Sequence, residues 1–268
     1  MESSPLRDSE FQLFKDLMFK IAGIHFSQEK KVLVGSRLAK RLLHHNLSNY
    51  GDYYQLLVSG RDPDEMQKAV DLLTTNETYF FREPKHFAYL RDWILAGNVS
   101  NQPFRVWSAA SSTGQEAFSV AMLLADLLKN RPWEIIASDL STKVLEKCKT
   151  ALYPIEQAEH IPKNYLQNFC LKGTGPQDGF FLMDNKIRSR VTFMHINLNQ
   201  KLPPIGEFDL VLLRNVMIYF NVDTKRQVVE RIAAQIKPGG HLFIGHSENL
   251  HGIVDCVKSV APAIYRVP

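Results

Sequence analysis

Phe104-Arg-Val-Trp-Ser-Ala-Ala-Ser-Ser-Thr-Gly-Gln-Glu116, followed by Trp133-Glu-Ile-Ile-Ala-Ser-Asp139, is the stretch on which the fold turns. Phe104–Ala109 reads as a strand, the small residues after it as a turn, and Gln115–Leu128 as an amphipathic helix. Trp133–Ser138 reads as a second strand, with a helix from Ser141 to about Leu152. Farther on, Phe208-Asp-Leu-Val-Leu-Leu213 is almost wholly apolar, as a strand covered on both faces should be. Asp223–Ile236 is expected as a helix closed by Pro238-Gly239-Gly240, with strands at His241–Gly245 and Ala263–Val267. This alternation predicts an α/β fold with a parallel, doubly wound sheet. Such sheets bind ligands beyond the carboxyl ends of their strands, where the winding direction switches.

The residues upstream read as helices only. Phe11, Phe14, Leu17 and Ile21 recur at helical spacing, with Gly23 where a C-terminal cap belongs. Ser27 is expected to cap a second helix ending near His45 and Asn46, and Ser48–Val58 reads as a third. In the fourth, Asp62 is the N-cap, Pro63 stands at the first helical position and Glu65 completes a capping box. The expected organisation is an N-terminal helical domain over 1–75, a connector over 76–103 and an α/β domain over 104–268. A glycine loop (Gly173, Gly175, Gly179) with short strands at Phe180–Met183 and Val191–Phe193 predicts a small β insertion over 171–193.

The chain has 268 residues, 45% hydrophobic and 22% charged, which excludes collagen-like, coiled-coil and disordered classes. Thirty-two Lys and Arg against 28 Asp and Glu give +4, too mild an excess to indicate a nucleic-acid partner by itself. Cys148, Cys170 and Cys256 form no CxxC pair, which fits a reducing cytosol. The acidic N-terminus is unlike a signal peptide, and no apolar run approaches the ~20 residues that cross a bilayer. A cytoplasmic protein is expected.

Polar residues cluster at the predicted strand ends. The Ser108–Glu116 turn lets a ligand approach backbone N–H groups at a helix N-terminus, or is an ordinary Ser/Thr/Gly turn. It carries neither the three-glycine dinucleotide fingerprint nor the Gly-Lys-Ser/Thr of a P-loop. Asp139 can accept from both hydroxyls of a ribose, or cap the next helix. Together they favour an adenosine lacking a pyrophosphate. Arg214 and Asn215, directly after an apolar strand, either face a ligand or pair internally, with Glu207 and Asp209 as the nearest partners for Arg214. Tyr219 would lie one helical turn beyond Asn215. Thr74–Phe87 reads most simply as a connector whose aromatics join the core and whose Arg82 forms a surface salt bridge.

Taken together, the helical N-terminal unit, TTNETYFFRE, WSAASSTGQEAFSVAM, ASDLS, NLN, LLRNVMIYFN and KPGGHLFIGHSENL resemble the CheR family over nearly the whole chain. That family comprises S-adenosylmethionine-dependent methyltransferases that esterify glutamates on bacterial chemoreceptors. The resemblance implies a Rossmann-like class I methyltransferase sheet, an N-terminal all-helical, receptor-facing domain and a β insertion. It implies S-adenosylmethionine as cofactor, S-adenosylhomocysteine as product and the cytoplasmic signalling domain of a chemoreceptor as partner. Cofactor contacts would fall to Asn76, Thr78, Arg82, Glu116, Asp139, Asn197, Leu198, Arg214 and Asn215. Arg82 and Tyr219 would lie nearest the transferred methyl. Ala110 and Ser111 depart from the family's usual Gly-Cys-Ser-Thr-Gly turn, and the extra methyl at 110 would crowd the methionyl end. In some members the β insertion docks a receptor C-terminal peptide, and Gly173–Gly179 resembles their loop.

A glutamate nucleophile has a pKa near 4.3 and needs no general base, consistent with the lack of a GxSxG elbow or an HExxH metal site. On the second helix, Lys30, Arg37, Arg41 and His44 fall along one face, with Val32, Ala39 and Leu43 opposite. That stripe either docks an acidic receptor helix or is a solvated face. A monomer without metal, nucleic acid or membrane insertion is expected. Two rival functions are a non-catalytic cofactor-binding receptor scaffold and a nucleic-acid methyltransferase. The second is disfavoured because Arg214-Asn215-Val-Met stands where an Asn/Asp-Pro-Pro-aromatic motif would be.

Overall fold

The computed structural model describes residues 5–100 and 102–268. Helices α1 (Asp8–Ala22), α2 (Lys31–His44), α3 (Tyr50–Ser59) and α4 (Pro63–Leu73) share one apolar core. Phe11, Phe14 and Met18 of α1 meet Leu38 and Leu42 of α2 and Tyr53 of α3 there, all essentially inaccessible to water. Gly23 ends α1 at φ +70°, in the left-handed region that favours glycine. Ser27 precedes a short 3-10 turn, Gln28–Lys30, and its side chain makes no cap bond. Asn49 caps α3 by accepting from the Asp52 amide, and Asp62 caps α4 by accepting from the Asp64 amide.

Glu65 does not close a capping box. Its carboxylate is fully buried, accepting from Arg41 Nε at 2.7 Å and from the Tyr53 hydroxyl at 2.7 Å. A long-range guanidinium outcompetes the local cap because a buried carboxylate without a counter-charge is costly. The face of α2 turned inward is Val34, Leu38 and Leu42, whereas Val32 and Leu43 are exposed. The apolar face expected at Val32, Ala39 and Leu43 is therefore misplaced by about one position around the helix.

α5 (Pro84–Leu95) leads into β1 (Phe104–Ser108), α6 (Gln115–Leu128), β2 (Trp133–Asp139) and α7 (Thr142–Thr150). Next come β3 (Leu152–Pro154), α8 (Lys163–Phe169), β4 (Cys170–Lys172), β5 (Phe180–Met183), α9 (Asn185–Arg188) and β6 (Val191–His195). β7 (Phe208–Leu213), α10 (Val222–Ala233), β8 (Ile236–Ile244), β9 (Lys258–Ala261) and β10 (Ile264–Arg266) complete the chain. The main sheet has the order β6-β2-β1-β7-β8-β10-β9. Strands β6 to β8 in that order are parallel, while β10 and β9 run antiparallel at the edge. The sheet is thus mixed rather than wholly parallel.

Side-chain alternation divides the core. Val106, Leu210 and Leu212 point to the face covered by α5 and α6, and Trp107, Val211 and Leu213 to the face covered by α10. α6 is buried nearly all round, not amphipathic, because α5, α8 and α9 cover its outer side. Pro238–Gly240 belongs to β8 and does not close the preceding helix.

The insertion is a separate antiparallel sheet, β3-β5-β4. Val191–Phe193, expected within it, instead lies in β6 and pairs in parallel with β2 as the edge of the main sheet. A short apolar run reads the same in either setting; only its partner decides.

Candidate active site

The winding direction switches between β1 and β7, and a cleft of about 1140 Å³, open to solvent, lies past the carboxyl ends of β1, β2, β6 and β7. The end of α1, the start of α2 and Thr74–Thr78 face it from the helical side.

The turn after β1 is held by the Ser111 amide donating to the Ser138 carbonyl at 2.8 Å. At Gly114, φ +93°, an added Cβ would stand 2.9 Å from the Tyr153 hydroxyl and 3.2 Å from Cys148 Sγ. Only glycine fits that combination of φ and space. The amides of Ser112 (2.8 Å) and Ser141 (2.9 Å) donate to separate oxygens of Asp139. Burial pushes this carboxyl up despite those amides. Each oxygen keeps acceptor capacity, and the residue lines the cleft. Ser141 accepts from the Val144 amide and caps α7 itself, so Asp139 is not needed for that.

Glu116 accepts from the Ser108 hydroxyl at 2.6 Å and from Arg214 Nη1 at 2.9 Å. The Arg214 guanidinium, 1% exposed, also donates to the Arg82 carbonyl and to Glu83 Oε2 at 3.2 Å. It pairs with neither local carboxylate considered from sequence; Asp209 holds Lys237 instead, at 2.8 Å. Asn215 takes φ +57° and donates its side-chain amide to Glu83 Oε1 at 3.1 Å. Burial favours the neutral Glu83 carboxyl, but bonds from Asn215 and the Arg214 charge outweigh it and hold it below its usual range.

Tyr219 is not one α-helical turn beyond Asn215. The intervening residues form a loop ending in a 3-10 turn, Met217–Tyr219. That loop is stitched to the helical unit by the His25 amide donating to the Tyr219 carbonyl at 2.8 Å and by an Ile24–Phe220 bridge. Asn197 donates to the Ile21 carbonyl at 2.7 Å, and Leu198, with Ile196 and Leu140, supplies apolar wall.

Asn76 and Thr78 line the cleft from the connector. Arg82 donates to the Glu77 carbonyl at 3.0 Å, and its guanidinium lies 5.6 Å from the centre of the Tyr79 ring. Among the described residues it forms no surface salt bridge. Asn76, Thr78, Arg82, Glu116, Asp139, Asn197, Leu198, Arg214, Asn215 and Tyr219 therefore surround one space.

The basic stripe does not survive as a unit. Lys30 reaches the cleft, but Arg37 donates to the Leu73 (3.2 Å) and Thr74 (3.0 Å) carbonyls at the end of α4, and Arg41 is bound to Glu65. Both arginines hold α2 to α4.

Sequence reasoning assigned no role to Glu83 or Glu248, although both lie in quoted motifs. Glu248 accepts from the amides of Gly245, Asn215 and Ile218. An acid adjoining an otherwise aromatic connector, and another just after a strand end, was the available signal. Glu83, His86 and His246 bring ligand atoms within 4.8 Å of one another, but the shared Glu83 Oε2 is already held by Arg214. That guanidinium opposes a metal cation there.

Residues 9–74 match the family model described as the CheR methyltransferase all-alpha domain, and residues 76–265 match the CheR methyltransferase SAM binding domain. The chain is 40% identical over 251 residues to the chemotaxis protein methyltransferase of Escherichia coli, covering 92% of this chain and 87% of that one. It is 39% identical over 259 residues to chemotaxis protein methyltransferase 2 of Pseudomonas aeruginosa, with 96% and 92% covered. Identity to chemotaxis protein methyltransferase 1 of Vibrio cholerae is 33% over 277 residues, with 97% and 96% covered.

Proposed function

The chain belongs to the CheR methyltransferase family and is an S-adenosylmethionine-dependent chemotaxis protein methyltransferase, and from that premise we propose that it esterifies glutamate side chains of bacterial chemoreceptors. The observation that carries this reading is the convergence of Arg82, from the connector, and Tyr219, from the loop after β7, on the cleft that also holds Asp139 and Glu116.

The donor set fits the cofactor. Asp139 would accept the ribose hydroxyls, with Leu140, Ile196 and Leu198 as apolar walls for the base. Glu116, Arg214 and Asn215 would meet the methionyl end near Ala110, and Asn76 and Thr78 would close it from the connector. When bound, S-adenosylmethionine supplies an electrophilic methyl on a cationic sulfur.

A glutamate side chain is already ionised at neutral pH, so the site would need no general base and its residues would have only to orient the carboxylate toward the methyl. Arg82 would align the carboxylate through its forked donors, and Tyr219 would fix it by a hydrogen bond. Orientation of this kind supplies on the order of 7–11 kcal/mol in well-aligned systems.

We read the helical unit as receptor-facing, with Lys30 contributing a cation at the cleft rim. β4 is an outer strand of the insertion and Leu171 on it is 51% exposed, which supports docking of a receptor C-terminal peptide by strand addition. No helix among the described residues is long and apolar enough to cross a membrane. Action as a monomer in the cytoplasm completes the proposal.

The test is incubation with methyl-labelled cofactor and a chemoreceptor signalling domain. Label released from protein as methanol by mild alkali is expected. Alkali-stable label, or none, would overturn the ester.

A further inference from the structure

β8 ends at Ile244, and the chain then turns so that the Glu248 amide donates back to the Gly245 carbonyl at 2.9 Å. The Glu248 carboxylate points at the neighbouring loop. Its Oε2 accepts from the Gly245 amide at 2.6 Å and the Asn215 amide at 3.1 Å, and its Oε1 from the Ile218 amide at 3.2 Å. One side chain thus gathers main-chain donors from both ends of the segment between Asn215 and Tyr219.

The far end of that segment is tied to the helical unit by the His25 amide, which donates to the Tyr219 carbonyl at 2.8 Å, whereas its near end rests on carboxylates. Asn215 sits at φ +57°, where L-residues rarely rest without support. The packing leaves no slack: a Cβ on Gly245 would lie 2.5 Å from Asn215 Nδ2 and 2.9 Å from Glu248 Oε2. Glu83 holds the Asn215 side-chain amide from the other side. Two carboxylates, one on the main chain and one on the side chain, therefore orient a single asparagine. With one Nδ2 hydrogen committed to Glu83, Oδ1 and the second N–H are left for a ligand.

We propose that Glu248 is a positioning residue, whose carboxylate presets the loop carrying Asn215 and Tyr219 before the cofactor enters. The inference rests on the reading of the cleft as the cofactor site. Backbone donors arranged before binding remove an ordering cost that the ligand would otherwise meet.

Glu248→Gln keeps the shape but turns an NH₂ group toward amide donors. Calorimetry with S-adenosylhomocysteine should show affinity weakened about tenfold or more, the scale of a hydrogen bond to a charged acceptor. Gly245→Ala, which crowds the same point without changing charge, should act in the same direction. Affinity within about twofold of the parent in both variants overturns the proposal. If Glu248→Gln folds poorly, hydrogen exchange on the unaltered protein without ligand decides. The Asn215 and Ile218 amides must be protected before any S-adenosylhomocysteine is added; protection that arises only on its addition overturns the proposal. Failure of the unaltered protein to bind S-adenosylhomocysteine at all refutes the cofactor reading instead.

Discussion

Arg214 and Glu116, 98 residues apart in sequence, are joined by a 2.9 Å ion pair at the floor of the cleft. The same guanidinium reaches Glu83, so one cation bridges carboxylates from α6 and from the residue that opens α5. Replacing Arg214 with Met strands two nearly buried acids, and a loss of about 3–5 kcal/mol is expected in urea unfolding. Arg214→Lys should recover part of that stability but not cofactor affinity, because an ammonium lacks the planar fork. A Met variant as stable as the parent would refute the pair's importance.

Arg82 has a different signature. Its donated bond to Glu77 and its position over Tyr79 are partly exposed, so Arg82→Ala should change stability by less than about 0.5 kcal/mol. Methyl transfer should fall by roughly 10²-fold, the effect of removing one aligned donor from a reacting centre. Unchanged turnover at saturating receptor would remove Arg82 from the mechanism.

Arg41 belongs to the fold. Burial alone would raise the Glu65 carboxyl, but hydrogen bonds from Arg41, Tyr53 and His45 overcome this and bring it down to about 2. A lowered carboxyl stabilises the protein above its unfolded pKa and loses that contribution as pH falls from about 4.5 to about 2. Arg41→Ala should cost about 3 kcal/mol at neutral pH and flatten the acid limb of a stability–pH curve. A variant retaining both full stability and the same acid limb contradicts this.

Two histidines add acid sensitivity in a higher window. Burial lowers His86 to about 3 and His241 to about 4, aided by the charges of Arg214 and Arg266 respectively. The unfolded chain takes up these protons below about pH 6.5 while the folded chain does not, so stability falls with pH. Between pH 7 and pH 5 each histidine should account for roughly 2 kcal/mol of lost stability. Denaturant midpoints at both pH values, compared with His241→Phe, measure it; an equal drop in the variant counts against His241.

Local pattern carried some elements to the residue. Gln115–Leu128 and Phe208–Leu213 appear with the expected bounds, because a mainly apolar run between turn residues has few alternatives. Gly23 and Asp62 act as the caps expected of them, since a cap depends only on neighbours within one turn. Glu65 and Val191–Phe193 were misassigned for the opposite reason. A glutamate three residues after an N-cap satisfies the local rule, yet Arg41 lies 24 residues away and wins. A short apolar strand carries no label for its partner.

The site divides in the same way. Motifs spaced along the chain named the residues around the cleft, and the sequence by itself determined the fold class, the family and the chemical types assembled there. Which groups remain available to a ligand was settled only in three dimensions. Arg37 and Arg41 turned inward to α4, Arg214 chose Glu83 and Glu116 over its neighbours, and Glu248 folded back onto Asn215. Charges buried together must find one another wherever the chain brings them, and that pairing follows distance in space, not distance in sequence.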